Sequence, residues 1–361
     1  MTAFPRDQAA RLLRRMLTIP SPSTAEGELA AYLAEEMSAL GLTSDVDETG
    51  NVTGSLDRGD GPHIMLLGHL DTVPGQIPVR LDDGRLYGRG ASDAKGPLAA
   101  MICAAAGAAA GTTGFTGRIS VIGAVEEEVP SSRGAVAVRE TRQPPDACII
   151  GEPSGWSAVV LGYKGKIDLS YSVSCPPAHT TSPAPKATEL VADCWTALKE
   201  ELGPADHTVF GRPGLTLESF SGDTAAATAT FGVRTPPGFD TGVLLARVRA
   251  RLASGALTVL ADRAPCRMDR RNPVIRALTA GIRRSGAAPA LLLKTATSDM
   301  NTLAETWDIP MAAYGPGDSK LDHGDAEYIV LEEFFSAIEV LSQALTELAA
   351  GFPAGLERSS L

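Results

Sequence analysis

Strand-like and helix-like apolar runs alternate along the first part of this 361-residue chain. His63–Leu67, Arg118–Val125 and Ala147–Ile150 are short runs typical of buried strands, and the Ala-rich run Leu98–Ala110 is typical of a helix. Such alternation predicts an α/β fold with a mixed, mostly parallel sheet flanked by helices. Ligands of these folds bind beyond the carboxyl ends of the strands, so the residues that follow each strand are the candidates for chemistry.

Residues 163–263 show a different order of predicted elements. Strand-like runs at Lys166–Val173, Leu215–Ser221, Thr224–Arg234 and Leu257–Leu260 are interleaved with helical runs at Thr188–Leu202 and Gly242–Leu252. This β-α-β-β-α-β order is typical of a compact two-layer domain. The alternating pattern then resumes, so we predict a discontinuous α/β domain of residues 1–162 and 264–361, with residues 163–263 inserted as a second domain.

The composition excludes several classes of protein. With 32 Lys and Arg against 43 Asp and Glu, the chain carries a net charge of −11, which would repel a nucleic-acid backbone. The longest apolar run, Pro97–Ala110, is shorter than the roughly 20 residues of a membrane span, and Met1–Leu17 lacks the apolar core of a signal peptide. Five cysteines without a C-x-x-C pair fit a reducing compartment. We expect a cytoplasmic protein that binds neither nucleic acid nor membranes.

Acidic and histidine residues follow the predicted strands at five places in the sequence. They are His69 with Asp71, Asp93 in a glycine-dense turn, the run Glu126–Glu128, Glu152, and His323. Histidine and carboxylate groups gathered at one sheet edge are the ligands that two adjacent divalent ions need, with one carboxylate shared. The set therefore predicts a two-metal hydrolase. Asp71 is placed to hold one imidazole nitrogen of His69 while the other nitrogen binds metal.

Each segment by itself has a simpler interpretation. The histidines could make structural hydrogen bonds, and Glu126–Glu128 could be a solvated charge run, although adjacent carboxylates that end a buried strand repel one another. The turn Gly88–Gly96 could be a phosphate loop, but Asp93 stands where the third glycine would be. A serine hydrolase is disfavoured because Ser154 lies one position too late for a G-x-S-x-G motif.

Together these segments resemble the M20 family of metallopeptidases and amidohydrolases across essentially the whole chain. The resemblance implies two metal sites, with one ion held by His69, Asp93 and Glu152 and the other by Asp93, Glu128 and His323. It also implies that Asp93 bridges the ions, that Glu127 is the general base, and that the Asp93–Ala94 peptide is cis. Zinc is the default ion for such ligands, with cobalt or manganese as alternatives.

Further site residues follow from the same resemblance. His179 is a candidate donor to the oxyanion, although a loop histidine exposed to water is the alternative, since Ala178 replaces the usual glycine before it. Arg234 is a candidate clamp for a substrate carboxylate, with a surface arginine as the alternative. Thr297 and Ser298 lie in a turn that could bind polar substrate atoms. The inserted domain, 163–263, would act as a lid and form a homodimer.

Within the family, the chain resembles the branch of lysine and ornithine hydrolases that act on an amino-group carrier protein. The resemblance rests on Gly162–Gly165, the triple Glu, Lys294–Asn301 and Tyr314–Ser319. It implies release of lysine, ornithine or a related amino acid from the C-terminal glutamate of a small acidic carrier protein. Two alternatives remain open: a small-molecule N-deacylase or dipeptidase, such as an acetylornithine deacetylase or succinyl-diaminopimelate desuccinylase, and a non-catalytic metal-binding or carrier-binding module.

An acidic enzyme that meets an acidic carrier protein needs a local basic surface. Five arginines offer one, and a solvated basic face is the alternative interpretation. These arginines are Arg263, Arg267, Arg270, Arg271 and Arg276.

Overall fold

A computed structural model describes residues 4–351 of the chain. The chain divides into two compact units. The first comprises the described residues up to Gly162, Met268–Leu292, and the described residues from Ser298 onward. The second comprises Tyr163–Arg267 and Leu293–Thr297. The second unit is thus longer than the predicted insertion 163–263, and the ends of the other predicted domain, residues 1–3 and 352–361, lie outside the described residues.

The helices of the first unit come from all three of its chain segments. They are α1 (Arg6–Thr18), α2 (Gly27–Ala39), α3 (Lys95–Ala109), α4 (Arg133–Thr141), α7 (Pro273–Arg284), α8 (Asp299–Ala304) and α9 (Leu331–Gly351). The strands before residue 163 are β1 (Thr43–Val46), β2 (Val52–Asp57), β3 (His63–His69), β4 (Arg80–Asp82), β5 (Arg85–Tyr87), β6 (Arg118–Ala124), β7 (Ala147–Ile150) and β8 (Ala158–Tyr163). Among residues 4–351, no helix is long and apolar enough to cross a bilayer.

The central sheet carries its parallel strands in the middle. Its order is β1-β2-β6-β3-β7-β15-β8, where β15 is Met311–Ala313. Strand β3 is parallel to β6 and β7, and β15 is parallel to β7, whereas β1, β2 and β8 add antiparallel neighbours. This is the mixed α/β fold predicted from the sequence, with the carboxyl ends of β3, β6 and β7 at one edge.

Helix α3 packs closely on the ends of these strands because it is built from small residues. All of its residues except Ala109 are buried. A β-carbon at Gly68 would lie 3.3 Å from Cβ of Leu98, and one at Gly151 would lie 3.0 Å from Sδ of Met101. Glycine at these two positions therefore lets α3 approach the strand ends, where the next residues are His69 and Glu152.

The second unit has the element order predicted from the sequence. Its elements are β9 (Gly165–Ser174), α5 (Ala187–Leu202), β10 (Gly214–Gly222), β11 (Ala226–Thr235), α6 (Thr241–Arg251), β12 (Ala256–Arg263) and β13 (Cys266–Arg267). The strands β10-β11-β9-β12 form an antiparallel sheet. Alternate residues of β9, from Ile167 to Val173, face a core that also includes Phe231 stacked on Trp195.

Two short strands complete the structure. They are β14 (Ala290–Lys294), which pairs with β8, and β16 (Tyr328–Val330), which forms a small sheet with β5 and β4. The small sheet matters for the site because it ties the segment after His323 to the strand that precedes the Asp93 turn.

Candidate metal centre and active site

His69 stands at the end of β3 between two acidic residues. Its Nδ1 lies 2.9 Å from the backbone carbonyl oxygen of Asp71 and 3.3 Å from Oδ1 of the same residue. Its Nε2 lies 3.2 Å from Oδ1 of Asp93. Both His69 and Asp71 are buried. With Nδ1 directed at Asp71, Nε2 is the nitrogen that is available to a ligand on the Asp93 side.

Asp93 lies between two histidines that are far apart in sequence. While its Oδ1 faces His69, its Oδ2 lies 3.3 Å from Nε2 of His323, which is also 3.0 Å from Oε2 of Glu128. The Asp93–Ala94 peptide is cis, as predicted. A carboxylate that presents one oxygen to each of two imidazoles has the arrangement of a bridging ligand.

The three glutamates after β6 point to different neighbours. Glu126, at a φ of 58°, turns its carboxylate toward Ser131 and Arg133, which donate to it at 2.9 Å and 2.8 Å. The backbone N–H groups of Glu127 and Glu128 instead donate to the carboxylate of Asp71, and the carboxylates of both glutamates lie beside His69. The left-handed conformation at Glu126 thus separates one acid from the other two.

The ligand atoms form two overlapping groups. In one, atoms of His69, Glu127 and Glu152 all lie within 4.8 Å of one another; in the other, atoms of His69, Asp93 and Glu128 do. Glu127 therefore lies beside the candidate ligands His69 and Glu152, a position that suits either a ligand or a general base.

Burial and mutual repulsion shift the pKa values of the acids. Burial and the charge of Glu152 raise the pKa of Glu127 well above its usual value. Burial and the charge of Asp93 do the same to the pKa of Glu152. These two acids cannot both carry full charge in this pocket without a compensating positive charge.

The pKa values of the two histidines are raised as well. Burial opposes the protonation of His69, but hydrogen bonds to Asp71 and Asp93 outweigh it and raise its pKa well above the usual value. Hydrogen bonds to Asp93 and Glu128 raise the pKa of His323 to about 10. Without a cation, protons on these imidazoles balance the charge of the carboxylates, and a metal ion would take their place.

The residues present fit divalent metal ions. The donors are imidazole nitrogens and carboxylate oxygens, which zinc and its neighbours accept. Oε1 of Glu128 is buried and has no hydrogen-bond partner among residues 4–351. A buried carboxylate oxygen of this kind is costly unless a cation or proton satisfies it.

Two residues beside the site, Glu327 and Arg89, are given no role by the sequence prediction. Glu327, 1% exposed, accepts hydrogen bonds from the backbone N–H groups of Ser92 and Asp93 and from Arg89. The sequence signal for Glu327 is one acid just before the apolar run Tyr328–Val330, which is too common a pattern to single it out.

Two of the predicted substrate residues of the second unit, Arg234 and Thr297, lie near one another. The Arg234 guanidinium donates to Oγ1 of Thr297 at 3.1 Å. His179 is exposed, and its Nδ1 lies 2.8 Å from Oγ1 of Thr181. Ser298, in the first unit, is buried, and its hydroxyl accepts the N–H of Met300 at the start of α8. The role of these residues in substrate binding stays a prediction.

Comparisons with known proteins identify the family of this chain. The pattern of peptidase family M20/M25/M40 matches residues 65–347. A LysW-lysine hydrolase of Deinococcus radiodurans is 42% identical over 97% of this chain and 100% of its own length. A LysW-lysine/LysW-ornithine hydrolase of Saccharolobus islandicus is 29% identical over 95% of this chain and 96% of its own length.

Solved structures show the same fold. The M20 family metallo-carboxypeptidase of Sulfolobus solfataricus matches with a TM-score of 0.81 at 17% identity, covering 95% of this chain and 100% of that one. The family match spans both sides of the second unit and includes every candidate metal ligand. The chain therefore belongs to peptidase family M20 and is a hydrolase that acts on an amide bond.

Proposed function

We propose that this hydrolase releases lysine, ornithine or a related amino acid from the C-terminal glutamate of an amino-group carrier protein. The chemistry is carried by one observation, the placement of Asp93 between His69 and His323 with partly buried glutamates beside it. The carrier-linked substrate is supported by the names of relatives that match nearly the whole chain.

Two divalent ions would be held by five residues. His69, Asp93 and Glu152 would hold one, and Asp93, Glu128 and His323 the other. When bound, such ions polarise the amide carbonyl and lower the pKa of a water molecule. We propose zinc, with cobalt or manganese as alternatives.

Glu127 is proposed as the general base. Its carboxylate would take the proton of the attacking water and return it to the nitrogen of the leaving amino acid. Support comes from its position beside His69 and Glu152, where the charge of bound ions would offset the rise in pKa that burial and Glu152 cause. Asp71 would orient this base, because its Oδ1 accepts the backbone N–H of Glu127 at 3.0 Å.

The second unit is proposed to contribute to substrate binding. His179 would donate to the oxyanion of the reaction, and Arg234 would bind a substrate carboxylate through its planar guanidinium. The hydrogen bond from Arg234 to Thr297 fixes the orientation of that guanidinium. Ser298, which follows Thr297, would support the same turn.

A homodimer is proposed through the sheet of the second unit. Its two edge strands, β10 and β12, expose large apolar side chains, including Phe220 at 51% and Leu260 at 62%. Edge strands with exposed apolar residues are typical of surfaces that pair with another chain.

The carrier protein is proposed to bind a groove lined by arginines. Arg270, Arg271, Arg276 and Arg283 line a cavity of about 300 Å³, together with Ile275, Thr279, Pro289 and Leu291. Within residues 4–351, none of these four guanidinium groups forms an ion pair with a carboxylate, whereas Arg284 pairs with Glu347. Three of the five arginines named from the sequence lie here, and Arg283 joins them.

The arrangement of the groove favours an extended acidic surface over a single small anion. Arg276 and Arg283 are two helical turns apart, about 10 Å along α7, which exceeds the span of one phosphate. Leu291, 45% exposed, adds apolar contact area beside the charges. An acidic protein surface meets both requirements.

A turnover assay tests the proposed function. The purified protein, loaded with zinc, is incubated with lysine and ornithine linked to the carrier protein and, separately, with their N-acetyl forms. Release of the amino acid from the carrier conjugate at a much higher kcat/KM supports the proposal. Preferred hydrolysis of the N-acetyl forms would instead identify a small-molecule deacylase, the second candidate from the sequence.

A further inference from the structure

Glu327 is a buried carboxylate whose two oxygens are both fully used. Oε1 accepts the backbone N–H groups of Ser92 at 2.8 Å and Asp93 at 3.0 Å. Oε2 accepts the backbone N–H of Gly90 and Nη1 of Arg89, both at 3.0 Å. The carboxylate therefore closes the turn that carries the central acid of the metal site.

Three backbone N–H groups that converge on one point form an anion-binding concavity. Here the anion is supplied by the protein itself, from a segment more than 200 residues later in the chain. The Glu327 side chain is 1% exposed and its partner Arg89 is 11% exposed, so the charge is buried and paired. A buried charge is tolerated in this position because both oxygens of Glu327 accept hydrogen bonds and Arg89 balances the charge.

The same pair also reaches the second histidine. Glu327 lies four residues after His323, and Nη1 of Arg89 donates to the carbonyl oxygen of Gly324 at 3.0 Å. The turn that holds Asp93 and the loop that holds His323 are thus joined by Arg89 and Glu327. Oδ2 of Asp93 and Nε2 of His323 themselves lie 3.3 Å apart.

We propose that Glu327, with Arg89, is a positioning residue that sets the distance between Asp93 and His323 and thereby determines the affinity for metal. This inference rests on the proposed metal-binding role of Asp93 and His323. Neither Glu327 nor Arg89 would touch the ions or the substrate. Residues that orient metal ligands in this way typically change metal affinity by about 10- to 100-fold when they are substituted.

The test is a measurement of metal affinity rather than activity. In Glu327→Gln, the side chain keeps its size and one acceptor oxygen, but its NH₂ group faces either the N–H of Gly90 and Arg89 or those of Ser92 and Asp93. We expect zinc affinity, measured by competition with a chelating dye, to fall at least about tenfold. The visible spectrum of the cobalt-loaded variant should also change, since it reports the ligand geometry, while the far-ultraviolet circular dichroism stays the same.

Arg89→Met provides a second variant if Glu327→Gln does not fold. It leaves the three bonds from backbone N–H groups to Glu327 and removes the link to Gly324. Zinc affinity should again fall at least about tenfold. In the double variant, the loss should be smaller than the product of the two single losses, because both residues act through one contact.

Asp223→Asn is the matched control. Oδ1 of Asp223 accepts the backbone N–H groups of Ala225 and Ala226 in the turn between β10 and β11 of the second unit, and none of the proposed metal ligands belongs to that unit. This variant should lower the unfolding temperature and leave zinc affinity and the cobalt spectrum unchanged.

The outcomes separate this proposal from the proposed function. If the unsubstituted protein binds no divalent ions, the proposed metal site fails. If it binds two ions, and Glu327→Gln and Arg89→Met bind them with the same affinity and cobalt spectrum, the positioning role is overturned and the pair serves stability alone.

Discussion

Asp71 and Glu127 are joined by a hydrogen bond that connects the end of β3 to the acidic run after β6. The backbone N–H of Glu127 donates to Oδ1 of Asp71 at 3.0 Å, and that of Glu128 donates to Oδ2 at the same distance. The same carboxylate faces Nδ1 of His69 at 3.3 Å. One buried side chain therefore orients a candidate metal ligand, the proposed base and a second ligand.

Substitution of Asp71 by Asn should lower activity through this orientation. Asn has one acceptor oxygen, so one of the two glutamate N–H groups would lose its partner and face an amide NH₂ group. We expect kcat on the carrier-linked substrate to fall by about 10- to 100-fold. Ser23→Ala is the control: it removes only the 2.8 Å bond from Ser23 to Oδ2 and should change kcat much less. Equal effects of both variants would contradict the orienting role.

Glu127→Gln should abolish proton transfer and keep the metal. The amide cannot accept the proton of water, so kcat should fall by at least about 100-fold. Metal content, measured by mass spectrometry of the purified protein, should remain at two ions per chain. Loss of one ion would show that Glu127 is a ligand, as its grouping with His69 and Glu152 permits.

Removal of metal should destabilise the first unit. Without cations, the carboxylates of Glu127, Glu128 and Glu152 repel one another in a partly buried pocket. A chelator should therefore lower the thermal unfolding midpoint and stop turnover, and added zinc should restore both. An ion present at 100 times its dissociation constant stabilises the folded state by about 2.7 kcal/mol. An unchanged midpoint in calorimetry with chelator would argue against a bound metal.

His179→Ala tests the contribution of the second unit to the reaction. Loss of an oxyanion donor should lower kcat at least about tenfold with little change in KM. Thr181→Val is the control, since it removes only the hydrogen bond to Nδ1 of His179. Kinetics equal to those of the unsubstituted protein would identify His179 as an exposed loop histidine without a role.

Charge reversal in the arginine groove should change the KM for the carrier-linked substrate alone. Arg276→Glu and Arg283→Glu should raise KM for the carrier-linked substrate, more strongly at low salt, and leave hydrolysis of N-acetyl lysine unchanged. Arg284→Gln, on the same helix but already paired with Glu347, is the matched control. A rise in KM for N-acetyl lysine would mean that the groove affects the site itself.

The placement of His69, Glu127 and Glu152 near one another was predictable because each of them follows a parallel strand with a local signature. His69 ends β3, and Glu152 comes two residues after β7, in apolar runs that the sequence marks clearly. Parallel strands bring their carboxyl ends to one edge, so residues far apart in the chain could be placed together before any contact was known.

Other parts of the structure carry no such local signal. Strand β1, with the polar sequence Thr43–Val46, is exposed for most of its length and forms by pairing with β2. The bonds of Glu327 join residues more than 200 positions apart, and no periodicity in either segment indicates them. Ser298 shows a different difficulty, because a hydroxyl suited to a substrate contact is equally suited to begin a helix.

The chain order of the bridging contact has a consequence for biosynthesis. Glu128 precedes the second unit in the chain, and His323 follows it, yet both lie against one another beside Asp93. During translation, the ribosome must therefore produce the whole intervening unit before the centre can close. A nascent chain that stops before His323 would contain four of the five proposed ligands, His69, Asp93, Glu128 and Glu152, but no complete second site for an ion.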